Sequence, residues 1–246
     1  PKEWKVAIVS DATNAGATGI GSTMLQLDVD SIGMPSLNPN QVVDVRTGTG
    51  RTFKPADFFQ DNKLRVSEIS LSGTMHLDAG FAPASQLYGS AVTNAGSSLT
   101  LVMQPSDVTN QQGMEFFGCV VTNFTLSADA TAEGGRYKFS ATLQTGKVPD
   151  LASVAEPTIT PYANTTDVFL SSASGIKVFN TEAIMQSFST TIESPAVFTG
   201  FTSTGYQAVS RGAEVAVTAE STIKYDANTK TLINTFDTQT SALAGN

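Results

Sequence analysis

The sequence contains few of the side chains on which most enzyme chemistry depends. It has one cysteine, one histidine and one tryptophan in 246 residues. Cys119 alone cannot form an internal disulfide, and its apolar neighbours indicate a buried structural thiol in a reducing compartment. Any Ser–His or Cys–His site would have to use His76, and no Gly-x-Ser-x-Gly turn surrounds a serine. We therefore expect no catalytic activity, no cofactor and no metal site.

Charge is also scarce. Charged residues make up 15% of the chain, against about 25% in average proteins. The net charge is −8 and no run of Lys or Arg occurs, so sequence-independent binding to phosphates is not expected. No stretch of about 18 apolar residues is present to span a membrane. The start, Pro1–Lys5, lacks the apolar run of a signal peptide, so we expect a cytoplasmic product whose initiator methionine was removed.

The clearest pattern in the chain is alternation of apolar and polar residues, which is typical of strands with one buried face. In 66–78, Ile69, Leu71 and Met75 alternate with polar residues. Gly73 falls on the apolar side and indicates a bulge or a close backbone approach. Similar runs predict strands at 6–9, 98–104, 176–180, 183–193 and 215–225, and two or three short strands within 30–65.

Segments 115–128 and 136–145 form the best predicted hairpin, because Gly134 and Gly135 supply the positive φ of a tight turn. Helical spacing predicts one short helix at 82–93 and a second one that Asp226-Ala227-Asn228 caps, with Leu232 and Phe236 on its apolar side. Residues 146–175 are interpreted as a connector, and 194–212 as a loop rich in Gly, Ser and Thr.

The chain divides into two halves, 1–150 and 151–246, which we expect to pack as one structural unit. Each half contains a strand that opens with Glu and leads to a short helix, in Glu68–Val92 and Glu214–Phe236. The order of elements is inverted between the halves and identities are few, so the pattern indicates a weak internal duplication.

Aromatic and basic side chains interleave in the segment 30–65. Such a pattern can mark nucleic-acid contact, but interspersed aspartates dilute the charge and favour a protein–protein contact by the 46–62 loop. Aromatics on the 194–212 loop also suit an interface. The predicted inter-subunit contacts are Arg46, Arg51, Phe53, Phe58, Phe59, Phe198, Phe201 and Tyr206.

Three segments resemble the tail tube proteins of bacteriophages with long non-contractile tails. They are residues 66–73, residues 117–126 before the Gly134-Gly135 turn, and residues 188–194 followed by 212–217. The resemblance implies a mainly β fold, a β-sandwich with one or two short flanking helices. It also implies a structural virion protein that is assembled in the host cytoplasm and whose subunits close into rings that stack into a tube for DNA.

The implied partners are further copies of the chain, in trimeric pseudo-hexameric or in hexameric rings, with tape-measure, tail-tip and terminator proteins. DNA would pass without specific binding, and no membrane is involved. The predicted lumen-facing residues are Ser70, Ser72, Thr74, Asp78, Glu214, Thr218 and Glu220. Two alternatives stay open, another virion ring or baseplate component and a β-sandwich that binds carbohydrate as an adhesin does.

Overall fold

The structure is a computed structural model. It describes residues 4–11, 24–33, 40–43, 58–61, 66–75, 98–105, 113–147, 149, 159–160, 170, 177–178, 181–202, 205–212 and 214–237. The predicted helix at 82–93, His76 and most of the 146–175 connector lie outside these residues.

The described elements are almost all strands, which confirms the predicted mainly β fold. In chain order they are β1 (Trp4–Ser10), β2 (Met24–Leu27), β3 (Val29–Gly33), β4 (Asn40–Val43), β5 (Phe58–Asp61), β6 (Ser67–Thr74), β7 (Leu99–Pro105), β8 (Met114–Asp129), a 3₁₀ turn (Glu133–Gly135), β9 (Lys138–Thr145), β10 (Ile159–Thr160), β11 (Lys177–Val178), β12 (Thr181–Glu182), β13 (Met185–Glu193), β14 (Ala196–Thr202), β15 (Gly205–Arg211), β16 (Ala216–Ile223) and the helix α1 (Ala227–Asp237).

Strand β8 joins two sheet regions because its neighbour changes along its length. Its first part pairs with β7, in a region ordered β10-β2-β1-β7-β8, and its second part pairs with β13 on one side and β9 on the other. The second region runs β3-β6-β9-β8-β13-β16. Gly118 has a φ of 57°, and the pairing with β9 shifts between Val121 and Asn123. Such bulges let one strand pass from one layer of a sandwich to the other.

The largest hydrophobic cluster of the described residues lies between the two regions. Val6, Ile8, Leu101 and Met103 come from β1 and β7, and they meet an opposing set from the second region. That set includes the side chains Ile69, Leu71, Phe124, Phe139, Ala141 and Leu143. The Phe124 and Phe139 rings stack with centroids 6.4 Å apart. The alternation noted in the sequence therefore corresponds to burial on one sheet face, as a β-sandwich requires.

Two glycine predictions are confirmed. Gly134 and Gly135 have φ values of 68° and 80° in the turn between β8 and β9. Gly73 lies opposite Val29, where the register of β3 and β6 shifts, and a Cβ there would overlap the carbonyl oxygen of Asp28. The backbone of β3 therefore approaches β6 as closely as a glycine permits.

The prediction of a loop at 194–212 is wrong, because this segment forms the antiparallel hairpin of β14 and β15. The sequence did not indicate these strands because the apolar residues of the segment do not alternate strictly. Within β14, Gly200 adopts a φ of 68°, which interrupts the regular strand geometry. The hairpin packs on β8, where Val209, Ala196 and Phe198 cluster with Val120.

The predicted helix after residue 226 is confirmed as α1. The Asp226 carboxylate accepts a hydrogen bond from the Thr229 backbone N–H at 3.0 Å, which is an N-cap. Within the helix, Thr229 and Leu232 are buried. Among the described residues, no helix has the length and apolar character that crossing a membrane demands.

Candidate functional site

The second sheet region presents a largely polar face on the side away from the core. Residues directly opposite each other in antiparallel strands share a face, so the pairing register defines its members. One row runs Ser72, Ser140, Thr125, Thr191 and Thr218 across five strands. We call this surface the polar face, and its polar members are Ser31, Glu68, Ser70, Ser72, Thr74, Asn123, Thr125, Ser127, Asp129, Lys138, Ser140, Thr142, Gln144, Ser187, Ser189, Thr191, Glu193, Thr218, Glu220 and Thr222, whereas Gly33, Val120 and Ala216 are its apolar ones.

Hydrogen bonds between neighbouring strands tie the polar face together. The Thr125 and Thr191 hydroxyls lie 2.9 Å apart, and Asn123 Nδ2 donates to Glu193 Oε1 at 3.0 Å. Such cross-strand pairs each contribute about 0.2–1 kcal/mol and fix the register of a sheet. The result is a broad surface of small hydroxyl groups whose charges, apart from Lys138, are carboxylates.

Lys138 is held by groups from three different elements. Its Nζ lies 2.9 Å from Asp30 Oδ2 and 3.1 Å from Glu133 Oε2, and it donates to Thr74 Oγ1 at 3.2 Å. Burial alone would lower the pKa of Lys138, but the hydrogen bonds and charges of Asp30 and Glu133 outweigh it and raise that pKa. The lysine therefore stays protonated over the neutral range.

An open cavity of about 510 Å³ lies at the Lys138 end of the polar face. Its lining includes Ser127, Ser189 and Glu220, with Glu133 and Arg136 from the turn that connects β8 to β9. The cavity lining mixes carboxylates, cations and hydroxyls.

The register brings together two groups of predicted lumen residues that are distant in the sequence. Ser72 and Thr218 stand in one row, and Thr74 and Glu220 stand in the next. Ser70, Thr218, Glu220 and Glu214 are exposed, Ser72 is half-buried, and Thr74 is buried beneath Lys138. Asp78 lies outside the described residues. That these side chains face a lumen stays a prediction.

Strand β16 pairs with β13 on one edge, and no described strand pairs with its other edge. Its residues from Ala216 to Thr222 are exposed, including Val217 and Ala219 on the side that continues the core-facing surface. Val217 lies opposite Ile192 and is 64% exposed. The sequence predicted the strand but not this apolar side, which the described part of the chain leaves uncovered.

The predicted contact residues differ in how far the structure describes them. Phe198 and Tyr206 lie 5.8 Å apart between ring centroids and cover Gly146, whose carbonyl accepts a bond from the Tyr206 N–H at 2.9 Å. These two rings therefore anchor the β14–β15 hairpin to the sandwich. Phe58, Phe59 and Phe201 lie in described strands, although only their backbones are described, and Arg46, Arg51 and Phe53 lie outside the described residues.

Arg211 is a structural residue that sequence reasoning missed. Its Nη1 donates to the carbonyls of Val121 and Ser194, at the point where β8 changes partner. The Ser194 N–H in turn donates to the Thr122 carbonyl at 2.8 Å. Burial lowers the pKa of Arg211 to about 10, which leaves it charged at neutral pH. No sequence signal connects Arg211 to a bulge 90 residues earlier.

The single cysteine is confirmed as a buried free thiol. Cys119 has 0% of its surface exposed, and burial raises its pKa, which opposes thiolate formation. In the part of the chain that the structure describes, no group of three or more His, Cys, Asp or Glu side chains could hold a metal ion.

These features define an antiparallel β-sandwich scaffold with a broad polar sheet face and an edge strand that the described part of the chain leaves uncovered. The family model of the phage tail tube protein matches residues 9–245. The chain therefore belongs to the phage tail tube family, as the sequence resemblance predicted, and is a structural protein of the virion tail. That family is not an enzyme family. No curated protein matches the chain.

Proposed function

We propose that copies of this chain close into rings, that the rings stack into the tail tube, and that the polar face lines the lumen through which genomic DNA passes. The observation that carries the proposal is the polar face itself. It extends over β3, β6, β9, β8, β13 and β16, beyond the area that the core supports from behind. A surface of hydroxyls and amides this wide suits contact with water and a passing polymer.

The two ends of this sheet region support ring closure. Among the described strands, β16 has one partner and so does β3 at the opposite end. A head-to-tail contact between β16 of one copy and β3 of the next would continue the sheet, and such a contact gives a ring where the rotation closes. Closure also removes free sheet edges, which otherwise aggregate. Val217 and Ala219 would be covered in the assembled ring.

The number of chains per ring depends on whether the two halves of the chain are structurally equivalent. If the halves 1–150 and 151–246 are equivalent, three chains supply six positions. If they are not, six chains are expected. Strands from both halves share one sheet region, since β13 pairs with β8, and this supports two halves packed as one unit.

Transport through the lumen would be passive. Among the residues that the structure describes, the polar face contains Glu68, Asp129, Glu193 and Glu220 against one basic side chain, Lys138. Because protein cations bind the phosphate backbone, a face poor in free cations lets DNA pass with little electrostatic attraction.

We further propose that the 46–62 loop contacts a neighbouring subunit or ring. The protein would be assembled in the host cytoplasm, and its partners would be tape-measure, tail-tip and terminator proteins.

Negative-stain electron microscopy of the purified protein at rising concentration tests the proposal. Hollow tubes or stacked rings with a central hole are the expected result, and their rotational symmetry distinguishes three chains from six. Single rings that never stack would point to another ring component of the tail. A monodisperse monomer that stays monomeric when tail-tip and tape-measure proteins are added would contradict the proposal.

A further inference from the structure

Lys138 is the one basic side chain among the described residues of the polar face, and three acceptors surround its nitrogen. A lysine ammonium has three N–H donors. Asp30, Glu133 and Thr74 supply three acceptors between 2.9 and 3.2 Å from its nitrogen. Two of these acceptors are carboxylates, so the local charge of the group is negative, and the three acceptors match the three donors of the ammonium.

Backbone irregularities place both carboxylates. Asp30 occupies the position where the register of β3 against β6 shifts, between Val29 and Ser31. Glu133 has a φ of 48°, a left-handed conformation that is uncommon outside glycine. Conformations of this kind cost about 1–3 kcal/mol and persist where surrounding structure holds them. The chain thus maintains an unfavourable backbone angle at the residue whose carboxylate meets Lys138.

We propose that Asp30 and Glu133 form a neutralising clamp that prevents Lys138 from binding the phosphates of passing DNA. The inference rests on the proposed lumen position of the polar face. A free lysine at this site would repeat in every copy around every ring, so its attraction for phosphate would be multiplied along the tube. A surface ion pair contributes little to stability, which is why an effect on DNA is a better explanation than stapling β3 to β9.

The expected magnitude follows from counterion release. Each phosphate that a protein neutralises changes the salt dependence of log affinity by about −0.9. If the clamp is removed and three lysines of one ring reach phosphates, affinity for duplex DNA falls about 40-fold between 50 and 200 mM salt. Several rings along one duplex would steepen this dependence further. The wild-type protein should show no comparable binding.

The test compares three proteins: the wild type, Asp30→Asn with Glu133→Gln, and the same pair with Lys138→Gln. Two measurements are made on each. Mass spectrometry follows the rate at which an amine-reactive acylating reagent modifies Lys138 in the first two proteins, which reports the clamp in the soluble chain. Co-sedimentation with a short fluorescent DNA duplex at 50 and 200 mM salt reports retention by assembled tubes, and fluorescence anisotropy replaces it if no tubes form.

We expect the double variant to be acylated severalfold faster at Lys138 and to retain DNA in a salt-dependent manner. The triple variant should return DNA retention to the wild-type level, because the freed cation is gone. The inference is overturned if acylation is unchanged, if acylation rises without DNA retention, or if the triple variant retains as much DNA as the double variant. Absence of wild-type tubes even with tail-tip and tape-measure proteins present would instead contradict the proposed function, and anisotropy would then decide the clamp separately.

Discussion

Val217 offers a direct test of the proposed ring contact. Its side chain is 64% exposed in the single chain, next to Ile192 on the apolar side of β16. Burying a whole valine side chain is worth roughly 1.5–3 kcal/mol, so the exposed part leaves about 1–2 kcal/mol to be gained at each contact. The change Val217→Lys removes this gain and brings a charge into an apolar contact. One to two kcal/mol corresponds to about a 5–30-fold change in an equilibrium constant.

We therefore expect Val217→Lys to raise the protein concentration needed for assembly by about 5–30-fold or more, as measured by sedimentation across a concentration series. The melting temperature should stay near that of the wild type, because the side chain is exposed in the unassembled chain. Val66→Lys is the matched control, since Val66 is 41% exposed and precedes β6 rather than lying in β16. Assembly of Val217→Lys at the wild-type concentration would refute the role of this edge.

Three further predictions concern the fold that supports the polar face. Gly73→Ala should lower the free energy of unfolding by about 3 kcal/mol or more, because the new methyl group meets the Asp28 backbone. Gly134→Ala should lower it by about 1 kcal/mol, because a methyl group there meets open space and only the positive φ is unfavourable. Equal losses for the two variants in urea unfolding would contradict this. Arg211→Met should cost about 2–4 kcal/mol in the same assay, because two buried carbonyls lose their donor, and an unchanged midpoint would be the contrary result. Hydrogen bonds from the Thr229 backbone and side chain lower the pKa of Asp226, so the stabilisation is present above the ordinary aspartate pKa and is lost as the pH falls through the folded value. The melting temperatures of wild type and Asp226→Asn should differ at pH 7 and converge in acid, and a pH-independent difference would argue against a charge effect.

Local patterns in the sequence were sufficient to predict most of the strands. Alternation about Ile69 and Leu71 predicted β6 and its buried side, since the period of a strand side chain is two. The turn at Gly134 and the cap at Asp226 were predictable because each depends on the chemistry of adjacent residues. The family could also be inferred from these segments.

Features that depend on pairing between distant strands could not be predicted. The sequence gives no register for β8 against β13, so it did not reveal that Ser72 and Thr218 stand in one row. The change of partner along β8 depends on bulges near Gly118 and Val121, which alternation does not signal. The contacts of Lys138 likewise depend on tertiary structure alone, because they come from the bulge in β3, the turn before β9 and the end of β6.

Cryo-electron microscopy of the assembled protein, at a resolution that separates strands, tests the central claim most directly. We predict a hollow tube in which the row of Ser72, Ser140, Thr125, Thr191 and Thr218 faces the channel and β16 of one copy adjoins β3 of the next. A tube whose polar face lies on the outer wall, or whose channel is lined by other strands, would contradict it.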